Sequence, residues 1–563
     1  MRKFRNFILK ASLILPLIFP NSTKINAKEY TIVLIPDTQN YTLNKKNIFH
    51  LKEQIQWIID NKEKENIVLV SHVGDVIASN IDSYPYNLHL IGFMCNKRSV
   101  DFIKNQNDSW EKVAFISDLF NIEDLAFSIS PGNHDYDCKN NKKSLKGFKN
   151  TFNNKKIFKR KWFLGIDATE INTAQIFEIN KQKFIHIGLE WQPSNKAIEF
   201  AQEIIKSNPE KPVILTTHEY LINRDKAFPE RCKKSAIGCS WTSAQDNNGE
   251  ELFQKLIKLN PQIFMVFSGH NQVEQGFLVS ENLLGRKVIQ ITSDFSGDPG
   301  GGNGWMTLIK LNLESSSITI NNFSPTYKKS VSPGIDRSKE NNREIEIELD
   351  LKELKSLLSK KNVKHFRNGE IIEKNSYTSA KDSNIYKNKF EQKIKNIFPF
   401  FNNNILVGNF FGENIGYLYF DEIIGTKNYQ IPPNSKIEKA VLTLTSNQVS
   451  FSNKFQIDSN GILEFSNNMV ISPVNDQLKL KNNFYKNFKK SIIKNSSKRS
   501  INSGISSSTQ SFDVTSDIQN WVDGADNKGW VFYLSEGLWS FKSSKSKELL
   551  ERPKLTIVYE NNY

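Results

Sequence analysis

Five apolar segments, each ending in side chains that can bind a metal, constrain this chain more than any other feature of its sequence. The most distinctive segment, residues 128–137, turns at Gly132 and then presents Asn133, His134 and Asp135. The other four end, in chain order, in Asp37-Thr38-Gln39, Gly74-Asp75, Thr217-His218-Glu219 and Gly269-His270-Asn271-Gln272. Ligand residues of open α/β sheets cluster just beyond the carboxyl ends of the strands. The five segments therefore predict one site at the edge of a sheet.

Each of these polar clusters, taken alone, is more typical of a turn or a helix cap than of a site. Asp, Asn and Gly are common turn residues, and a lone histidine is more often a structural residue than a ligand. The joint occurrence of acids, an amide and imidazoles after five successive apolar runs favours a shared site.

Apolar runs alternate with helical patterns from Lys28 to about Asp350. Residues 31–35 and 67–70 are short apolar runs typical of buried strands, and the apolar spacing of residues 48–59 is typical of a helix. Further strands are predicted at residues 125–129, 184–189, 213–216 and 263–267, and further helices at residues 110–120, 197–205 and 250–259. Strands interleaved with helices predict a layered α/β core.

The order of the motifs resembles that of the calcineurin-like metallophosphoesterase superfamily, and Gly132-Asn133-His134-Asp135 is the most specific match. The resemblance implies an α/β (α+β) sandwich of two β-sheets flanked by helices, in which two divalent metals share one carboxylate. It implies Asp75 as the bridging ligand and His134 as the catalytic residue that assists the leaving group or steadies the phosphoryl oxygens. The other implied ligands are Asp37, Gln39 and Gln272 for the first metal, and Asn133, His218 and His270 for the second.

Hydrolysis of a phosphate ester needs residues of these types for physical reasons. The ester is anionic and resists nucleophiles, so two cations can neutralise it, orient it and activate a hydroxide. Carboxylate and amide oxygens with imidazole nitrogens suit Mn, Fe, Zn, Mg or Ca, and the sequence does not select among them. The predicted function is hydrolysis of phosphomonoesters or phosphodiesters by a metal-activated hydroxide.

Two residues depart from the superfamily pattern, and both fall on the first metal. Gln39 and Gln272 stand where the superfamily usually has histidine. An amide oxygen is a weaker ligand than imidazole for late transition metals, so we expect a harder ion or weak binding at the first metal. Pro36-Asp37-Thr38-Gln39 resembles a bacterial branch of the superfamily, so this change alone does not exclude catalysis. The alternative is a non-catalytic surface or glycan-binding protein with a degenerate phosphoesterase domain.

The length of 563 residues predicts at least two domains. We expect a phosphoesterase domain at residues 28–355, a linker at 356–374 and an all-β sandwich at 375–563, where short strands and polar turns replace the helical spacing. Parts of the last region resemble the DNRLRE family of β-sandwich modules, which is related to carbohydrate-binding modules. The resemblance implies a surface polysaccharide as a candidate partner. Trp521, Trp530 or Trp539 could stack on sugars if exposed, but burial is the commoner fate of sandwich aromatics.

Residues 1–27 have the pattern of an export signal, with a basic start, an apolar core at residues 11–19 and Ala27 before the predicted cleavage site. The apolar core is shorter than the roughly 20 residues of a transmembrane helix, so no transmembrane protein is predicted. We expect an exported protein that is periplasmic, bound to the cell surface or extracellular. The net charge of +15 is typical of a lysine-rich soluble surface and does not predict specific nucleic-acid binding.

The four cysteines of an exported chain predict disulfides rather than free thiols. Cys232 and Cys239 could close a small loop and leave Cys95 to pair with Cys138, but all three connectivities stay open.

Three further features have two interpretations each. His72 could support the metal ligands from behind or be a packed strand histidine, and Glu219 could touch the site or be a solvated loop carboxylate. The glycine-rich residues 298–304 lack the Lys-Ser/Thr of a phosphate-binding loop, so they predict a substrate-side loop or a hairpin turn.

Overall fold

The computed structural model of the chain describes residues 29–44, 46–78, 100–137, 144–153, 157–222, 229–233, 239, 246–271, 276–331, 345–349, 362–372, 375–386, 404–409, 413–446, 455–457, 463–467, 469–474, 501–503, 509–534 and 538–560. The predicted export signal, Cys95, Cys138 and Gln272 lie outside the described residues. Cys232 and Cys239 form a disulfide, as one of the predicted pairings required. Within the described ranges, no helix is long and apolar enough to cross a membrane.

Strands alternate with helices between residues 29 and 348. The strands are β1 Glu29–Ile35, β2 Ile67–His72, β3 Ala126–Ile129, β4 Phe163–Ile166, β5 Thr173–Ile179, β6 Gln182–Gly188, β7 Val213–Thr216, β8 Leu221–Ile222, β9 Glu230–Arg231, β10 Ile263–Ser268, β11 Phe277–Glu281, β12 Lys287–Thr292, β13 Met306–Asn312, β14 Ser317–Ser324, β15 Lys329–Val331 and β16 Ile345–Glu348. The helices are α1 Gln39–Leu43, α2 Ile48–Asn61, α3 Val100–Val113, α4 Lys146–Phe152, α5 Asn195–Lys206 and α6 Gly249–Leu252, which continues as a π-helical turn at Phe253–Ile257. Turns of 3₁₀ type lie at Ala114–Asn121 and Ile157–Lys159, and a glycine-rich turn lies at Pro299–Gly302.

Most of these strands form two sheets, each with seven strands among the described residues. The first sheet has the order β15-β14-β13-β1-β2-β3 with β16 beside β14, and the second has the order β11-β12-β10-β7-β6-β5-β4. Strands β1, β2 and β3 run parallel in the first sheet, and β6, β7, β10 and β12 run parallel in the second. The carboxyl ends of neighbouring parallel strands therefore meet at one edge of each sheet.

The parallel strands are buried on both faces, which explains their continuous apolar sequences. In β1, every side chain from Ile32 to Ile35 is inaccessible to solvent. The two sheets share one hydrophobic core, to which Val70 of β2 and Phe267 of β10 both belong. Between the sheets, the hydroxyl oxygens of Ser71 and Thr216 lie 2.8 Å apart. The predicted mixed α/β architecture is confirmed.

From residue 362 onward the chain is dominated by strands. They are β17 Asn362–Phe366, β18 Ile371–Ile372, β19 Asn375–Ser376, β20 Ala380–Tyr386, β21 Asn404–Asn409, β22 Glu413–Phe420, β23 Lys436–Thr445, β24 Phe455–Ile457, β25 Leu463–Asn467, β26 Met469–Pro473, β27 Ile501–Ser503, β28 Thr509–Asp513, β29 Trp530–Leu534, β30 Leu538–Lys542 and β31 Lys554–Glu560. One sheet has the order β17-β31-β23-β28, and another has the order β26-β29-β22-β21-β30 with β20 beside β22. A shared apolar cluster joins them, with Leu442 from the first and Phe532 from the second.

Two features of this region differ from the sequence prediction. Strand β17 lies inside residues 356–374, where a linker was expected, and it pairs along its whole length with β31. A helix, α7 Thr515–Val522, interrupts the region predicted to be all-β. Its buried residues Ile518, Trp521 and Val522 have helical spacing, but the pattern is too short to distinguish a helix from a strand in the sequence.

The three tryptophans that could have bound sugars lie in the core of this region. Trp521, Trp530 and Trp539 are exposed by only 6%, 0% and 1%. The indole N–H of Trp530 donates a hydrogen bond of 2.7 Å to Asp517 Oδ2. Their burial confirms the commoner expectation, and none of the three can stack on a sugar ring.

The α/β region and the C-terminal strands pack against each other. Leu259 and Leu283 of the α/β region share a small apolar cluster with Val441 of β23 and Val558 of β31. Leu550, from a 3₁₀ turn at Leu549–Glu551, belongs to the cluster beneath α5.

Candidate metal centre

The predicted site residues that the structure describes lie just beyond the carboxyl ends of parallel strands. Asp37 and Gln39 follow β1, Asp75 follows β2, Asn133 and His134 follow β3, His218 follows β7 and His270 follows β10. Gln272, the remaining predicted ligand, lies outside the described residues. Because the two sheets pack face to face with these edges together, residues far apart in sequence meet around Asp75.

Asn133, His218 and His270 converge beside Asp75, and we call these three residues the second half-site. His218 Nε2 lies 3.2 Å from Asp75 Oδ1 and 3.1 Å from Asn133 Oδ1. His270 Nδ1 lies 3.0 Å from Asn133 Oδ1 and 3.2 Å from His218 Nε2. The potential ligand atoms of Asp75, His218 and His270 lie within 4.8 Å of one another. One cation could therefore contact all of them.

The ring of His218 is oriented so that Nε2 is the nitrogen available to a metal. Its Nδ1 lies 3.0 Å from the carbonyl oxygen of Val73. A carbonyl oxygen only accepts hydrogen bonds, so Nδ1 carries the hydrogen and Nε2 faces Asp75. Proteins commonly orient metal-binding histidines through such a bond from the other ring nitrogen.

We call Asp37 and Gln39 the first half-site. Each has one side-chain oxygen that accepts no hydrogen bond from the described residues. Asp37 Oδ2 accepts a hydrogen bond of 2.9 Å from the backbone N–H of His270. Gln39 Nε2 donates to Asp75 Oδ2 at 3.3 Å. Asp37 Oδ1 and Gln39 Oε1 are buried without a hydrogen-bond partner in the described part of the chain. A buried acceptor in this state costs roughly 1–3 kcal/mol, and a cation between the two oxygens would remove that cost.

The charges around the site are unevenly distributed. Burial raises the pKa of Asp37 well above its usual value, and the carboxylates of Asp294 and Asp75 raise it further. Burial also acts to raise the pKa of Asp75, but His218 and His134 lower it. For His218, burial acts to lower the pKa, whereas Asp75 and Asp37 raise it to about 10. In the second half-site the positive charge is thus on His218, since burial lowers the pKa of His270 to about 4, and the first half-site has no basic side chain.

Two glycines let the loops approach closely enough to form the site. A Cβ on Gly132 would overlap Asp75 Oδ1, and a Cβ on Gly269 would overlap Asp37 Oδ1. With the orphaned oxygens of the first half-site and the imidazoles of the second, the residues present fit a divalent metal cofactor.

Two buried residues behind the ligands hold the loops in place. His72 Nδ1 accepts a hydrogen bond of 3.1 Å from the Gly74 N–H, and His72 Nε2 lies 3.1 Å from Thr38 Oγ1. Burial lowers the pKa of His72 to about 3, so the ring is neutral. Asp135 accepts hydrogen bonds from the backbone N–H groups of Val76 at 2.8 Å and Gly132 at 2.8 Å. His72 is therefore a packed strand histidine that also connects two ligand loops.

His134 lies next to the shared carboxylate and, unlike His218, is partly exposed to solvent. Its backbone N–H donates to Asp75 Oδ1 at 2.9 Å, and its Nε2 lies 3.8 Å from Asp75 Oδ2. The side chain is 14% exposed, whereas that of His218 is fully buried.

Glu219 is not a solvated loop carboxylate, since it is only 1% exposed. Its Oε2 accepts hydrogen bonds from Trp191 Nε1 at 2.7 Å and Gln192 Nε2 at 2.9 Å, and its Oε1 lies 3.8 Å from His270 Nε2. Glu219 thus supports the second half-site from behind His270.

Asp294 is a further buried acid at this edge of the sheet, and it was not selected from the sequence. It is a carboxylate two residues beyond an apolar parallel strand, β12. The glycines that follow it drew attention to residues 298–304 instead.

Residues 30–274 match the model of the calcineurin-like phosphoesterase family. The chain is also 24% identical over 337 residues to the uncharacterized protein YvnB of Bacillus subtilis (strain 168), an alignment that covers 57% of this chain and 22% of that protein. The chain thus spans about a fifth of that relative's length. A dimetal phosphatase from Danio rerio aligns over 54% of this chain and 99% of its own with 9% identity and a TM-score of 0.31, which is too low to support a structural argument.

These comparisons do not test the resemblances to the Pro-Asp-Thr-Gln branch and to the DNRLRE modules, which stay predictions. The motif at residues 132–135 lies within the range that matches the family model, and both fall in the α/β region. Residues 30–274 are a calcineurin-like phosphoesterase domain.

Proposed function

We propose that this protein is an exported metal-dependent phosphoesterase that hydrolyses phosphomonoesters or phosphodiesters with two divalent cations. The observation that carries the proposal is the position of Asp75 between two half-sites. One of its carboxylate oxygens faces His218 at 3.2 Å, and the other accepts a hydrogen bond from Gln39 at 3.3 Å. A single carboxylate can therefore serve both half-sites.

The two cations, when bound, neutralise the phosphate ester and lower the pKa of water. The chain's own residues fix where this happens. The Val73 carbonyl orients His218, and the backbone N–H groups of His134 and His270 hold the carboxylates of Asp75 and Asp37. These bonds are made before substrate arrives, so little reorganisation is needed during the reaction.

His134 is the proposed catalytic residue because its imidazole lies beside the site without being enclosed in it. From this position the ring can donate a hydrogen bond or a proton to the oxygen of the leaving group as that oxygen gains negative charge. A residue in this role contacts the substrate and does not bind a metal. Its substitution should therefore leave the metal content unchanged.

Export is part of the proposal and is supported by two features. Residues 1–27 have the composition of an export signal, and Cys232 is joined to Cys239 in a disulfide, which is typical of proteins outside the reducing cytoplasm.

The test uses residues 28–563 freed of metal and then supplied with Mn²⁺, Fe²⁺, Zn²⁺, Mg²⁺ or Ca²⁺ singly. Nitrophenyl phosphate and bis-nitrophenyl phosphate report monoester and diester hydrolysis. We expect at least one metal to restore turnover and His134→Ala to lower kcat roughly 10²- to 10⁴-fold with metal content unchanged. Turnover that no metal restores, or that survives His134→Ala undiminished, would contradict the proposal.

A further inference from the structure

The glycine-rich turn at Pro299–Gly302 lies beside α1, the helix that begins at Gln39. The side-chain amide of Asn40 donates a hydrogen bond of 2.7 Å to the carbonyl oxygen of Ser296, just before the turn. A Cβ on Gly301 would lie 2.9 Å from the backbone of Asn40, so the two segments are in direct contact. The surface of the turn is therefore continuous with the first half-site.

On another side, the turn contacts His50, which has two exposed aromatic neighbours. A Cβ on Gly300 would lie 3.1 Å from His50 Nε2. The ring centroid of His50 lies 4.0 Å from that of Phe49 and 6.4 Å from that of Tyr327. His50 is 5% exposed, whereas Phe49 and Tyr327 are 46% and 50% exposed. Phe49 and Tyr327 are thus neighbours on the surface, and we call them the aromatic pair.

Tyr327 is held in place by the residues around it. Its hydroxyl donates a hydrogen bond of 3.1 Å to Asn303 Oδ1, directly after the glycine-rich turn. Its ring centroid lies 6.5 Å from that of Trp305, which is buried. His50 Nδ1 lies 3.1 Å from Thr326 Oγ1, which joins the loop of Tyr327 to α2. A ring that is already fixed loses little conformational entropy when a ligand stacks on it.

The turn presents backbone rather than side chains between the first half-site and the aromatic pair. Gly300 and Gly301 have φ angles of 68° and 78°, which glycine adopts more readily than other residues. Both are partly exposed, and Gly297 before them is exposed. An extended ligand can therefore cross this surface without meeting a side chain at these three positions.

Lysines accompany both rings of the aromatic pair. Residues 44–49 and 324–329, the segments that carry the two rings, contain no acid. Lys46 of the first segment and Lys328 and Lys329 of the second are exposed. Aromatic rings combined with lysines suit a ligand that has flat bases and a repeating negative charge. Single-stranded nucleic acid has both properties.

We propose that the aromatic pair binds the substrate of the metal centre and that this substrate is a single-stranded polynucleotide. Bases stack on Phe49 and Tyr327, the lysines contact phosphates, and the strand crosses the glycine-rich turn to place a phosphodiester at the first half-site. Stacking tolerates any base, so no sequence specificity is expected. The inference rests on the proposed function and narrows it to diesters. Hydrolysis joins the oxygen of water to phosphorus, breaks the bond to one sugar oxygen and leaves a proton on that oxygen.

The test measures binding of a fluorescein-labelled oligothymidylate to metal-free residues 28–563 by fluorescence anisotropy. We expect Phe49→Ala and Tyr327→Ala each to weaken binding roughly 5- to 100-fold, because each removes a ring on which a base stacks. The matched control is Phe158→Ala, which removes a ring that is 43% exposed from the turn at Ile157–Lys159. It should bind as the wild type does. Thermal unfolding of each variant checks that the fold is kept.

Inorganic polyphosphate is the second probe, since it has the negative charges of the oligonucleotide but no bases. We expect polyphosphate to bind the wild type more weakly than the oligonucleotide and to bind Phe49→Ala as it binds the wild type. Equal affinity for the two probes, or oligonucleotide binding that survives both substitutions undiminished, would overturn the inference.

The measurement also separates this inference from the proposed function. Oligonucleotide binding as expected, with no ester hydrolysed under any metal, would defeat the proposed function and leave the binding surface standing. Hydrolysis of nitrophenyl esters by a protein that binds no oligonucleotide would overturn the inference and leave the proposed function intact.

Discussion

The candidate metal centre and the contact between the α/β region and the C-terminal strands both bury charged side chains, but they balance those charges differently. At the contact, five residues form what we call the ionic cluster: Lys206, His365, Arg367, Glu370 and Lys554. Lys206 Nζ lies 2.6 Å from Glu370 Oε1, and Arg367 Nε lies 3.6 Å from Glu370 Oε2. Burial acts to raise the pKa of Glu370, but Lys554, Arg367 and Lys206 lower it.

The difference lies in where the cations come from. In the ionic cluster the chain supplies positive charge around its one carboxylate. In the first half-site, burial and the nearby carboxylates of Asp294 and Asp75 raise the pKa of Asp37, and neither Asp37 nor Gln39 carries positive charge. The ionic cluster therefore contains its own counter-charges, whereas the candidate metal centre would need cations from solution to balance its carboxylates. Removing an acid should have opposite effects on stability in the two places.

The largest expected effect is on catalysis, from Asp75→Asn. Because both half-sites share this carboxylate, its loss should lower kcat/KM for a nitrophenyl ester by about 10³-fold or more. The control, Asp526→Asn, changes a side chain that is 72% exposed and should keep the wild-type rate. A rate within tenfold of wild type in Asp75→Asn would mean that the half-sites do not depend on a shared ligand.

Glu370→Gln should produce the largest change in stability. Arg367 and Lys554, which are 2% and 1% exposed, would lose their counter-charge, so the free energy of unfolding in urea should fall by about 3 kcal/mol. Glu63→Gln, at a side chain 87% exposed, should change it by less than about 0.5 kcal/mol. A loss below about 1 kcal/mol in Glu370→Gln would show that Glu370 is not the counter-charge that stabilises the buried cations of the ionic cluster.

Asp37→Asn should have the opposite sign in metal-free protein. The raised pKa of Asp37 means that its ionised form is disfavoured in the folded state, so neutralising it at pH 7 should stabilise the chain by about 1 kcal/mol or more. Added Mn²⁺ should raise the Tm of the wild type more than that of the variant, because binding to the folded state stabilises it. If Asp37→Asn destabilised the metal-free protein, its effect would have the same sign as that of Glu370→Gln. The two places would then not differ in how they balance buried charge.

The smallest expected effect is a change in how stability depends on pH, which Lys554→Met tests. Burial lowers the pKa of Lys554 from 10.5 to about 7, so between these values the unfolded chain binds more protons than the folded one. Wild-type stability should therefore rise with pH across this window. Lys554→Met should be more stable than wild type by about 1 kcal/mol at pH 7, with the gap closing towards pH 10. Parallel pH profiles for the two proteins would contradict this assignment.

The sequence predicted the metal centre better than it predicted the rest because the site combines two local patterns. Each ligand follows an apolar strand, and a glycine precedes Asp75, Asn133 and His270, so the strand ends and the turns are both visible. Asp294 also follows an apolar strand but lacks a motif, and its position at this sheet edge depends on the parallel pairing of β10 with β12, which no local pattern reveals.

The C-terminal strands were harder to delimit for a related reason. Strand β17 is polar in sequence and forms only by pairing with β31, almost 190 residues later, so residues 362–366 resembled a linker. Helix α7 has eight residues, too few for its helical spacing to stand out between strands.

The most direct test of the central claim is to measure bound metal and hydrolysis together on one metal-depleted sample of residues 28–563. As Mn²⁺ is added, nitrophenyl ester hydrolysis should be absent at first and reach its maximum only when two Mn²⁺ are bound per chain. Full activity with no metal, or maximal activity with one bound ion, would contradict a phosphoesterase built from two half-sites around Asp75.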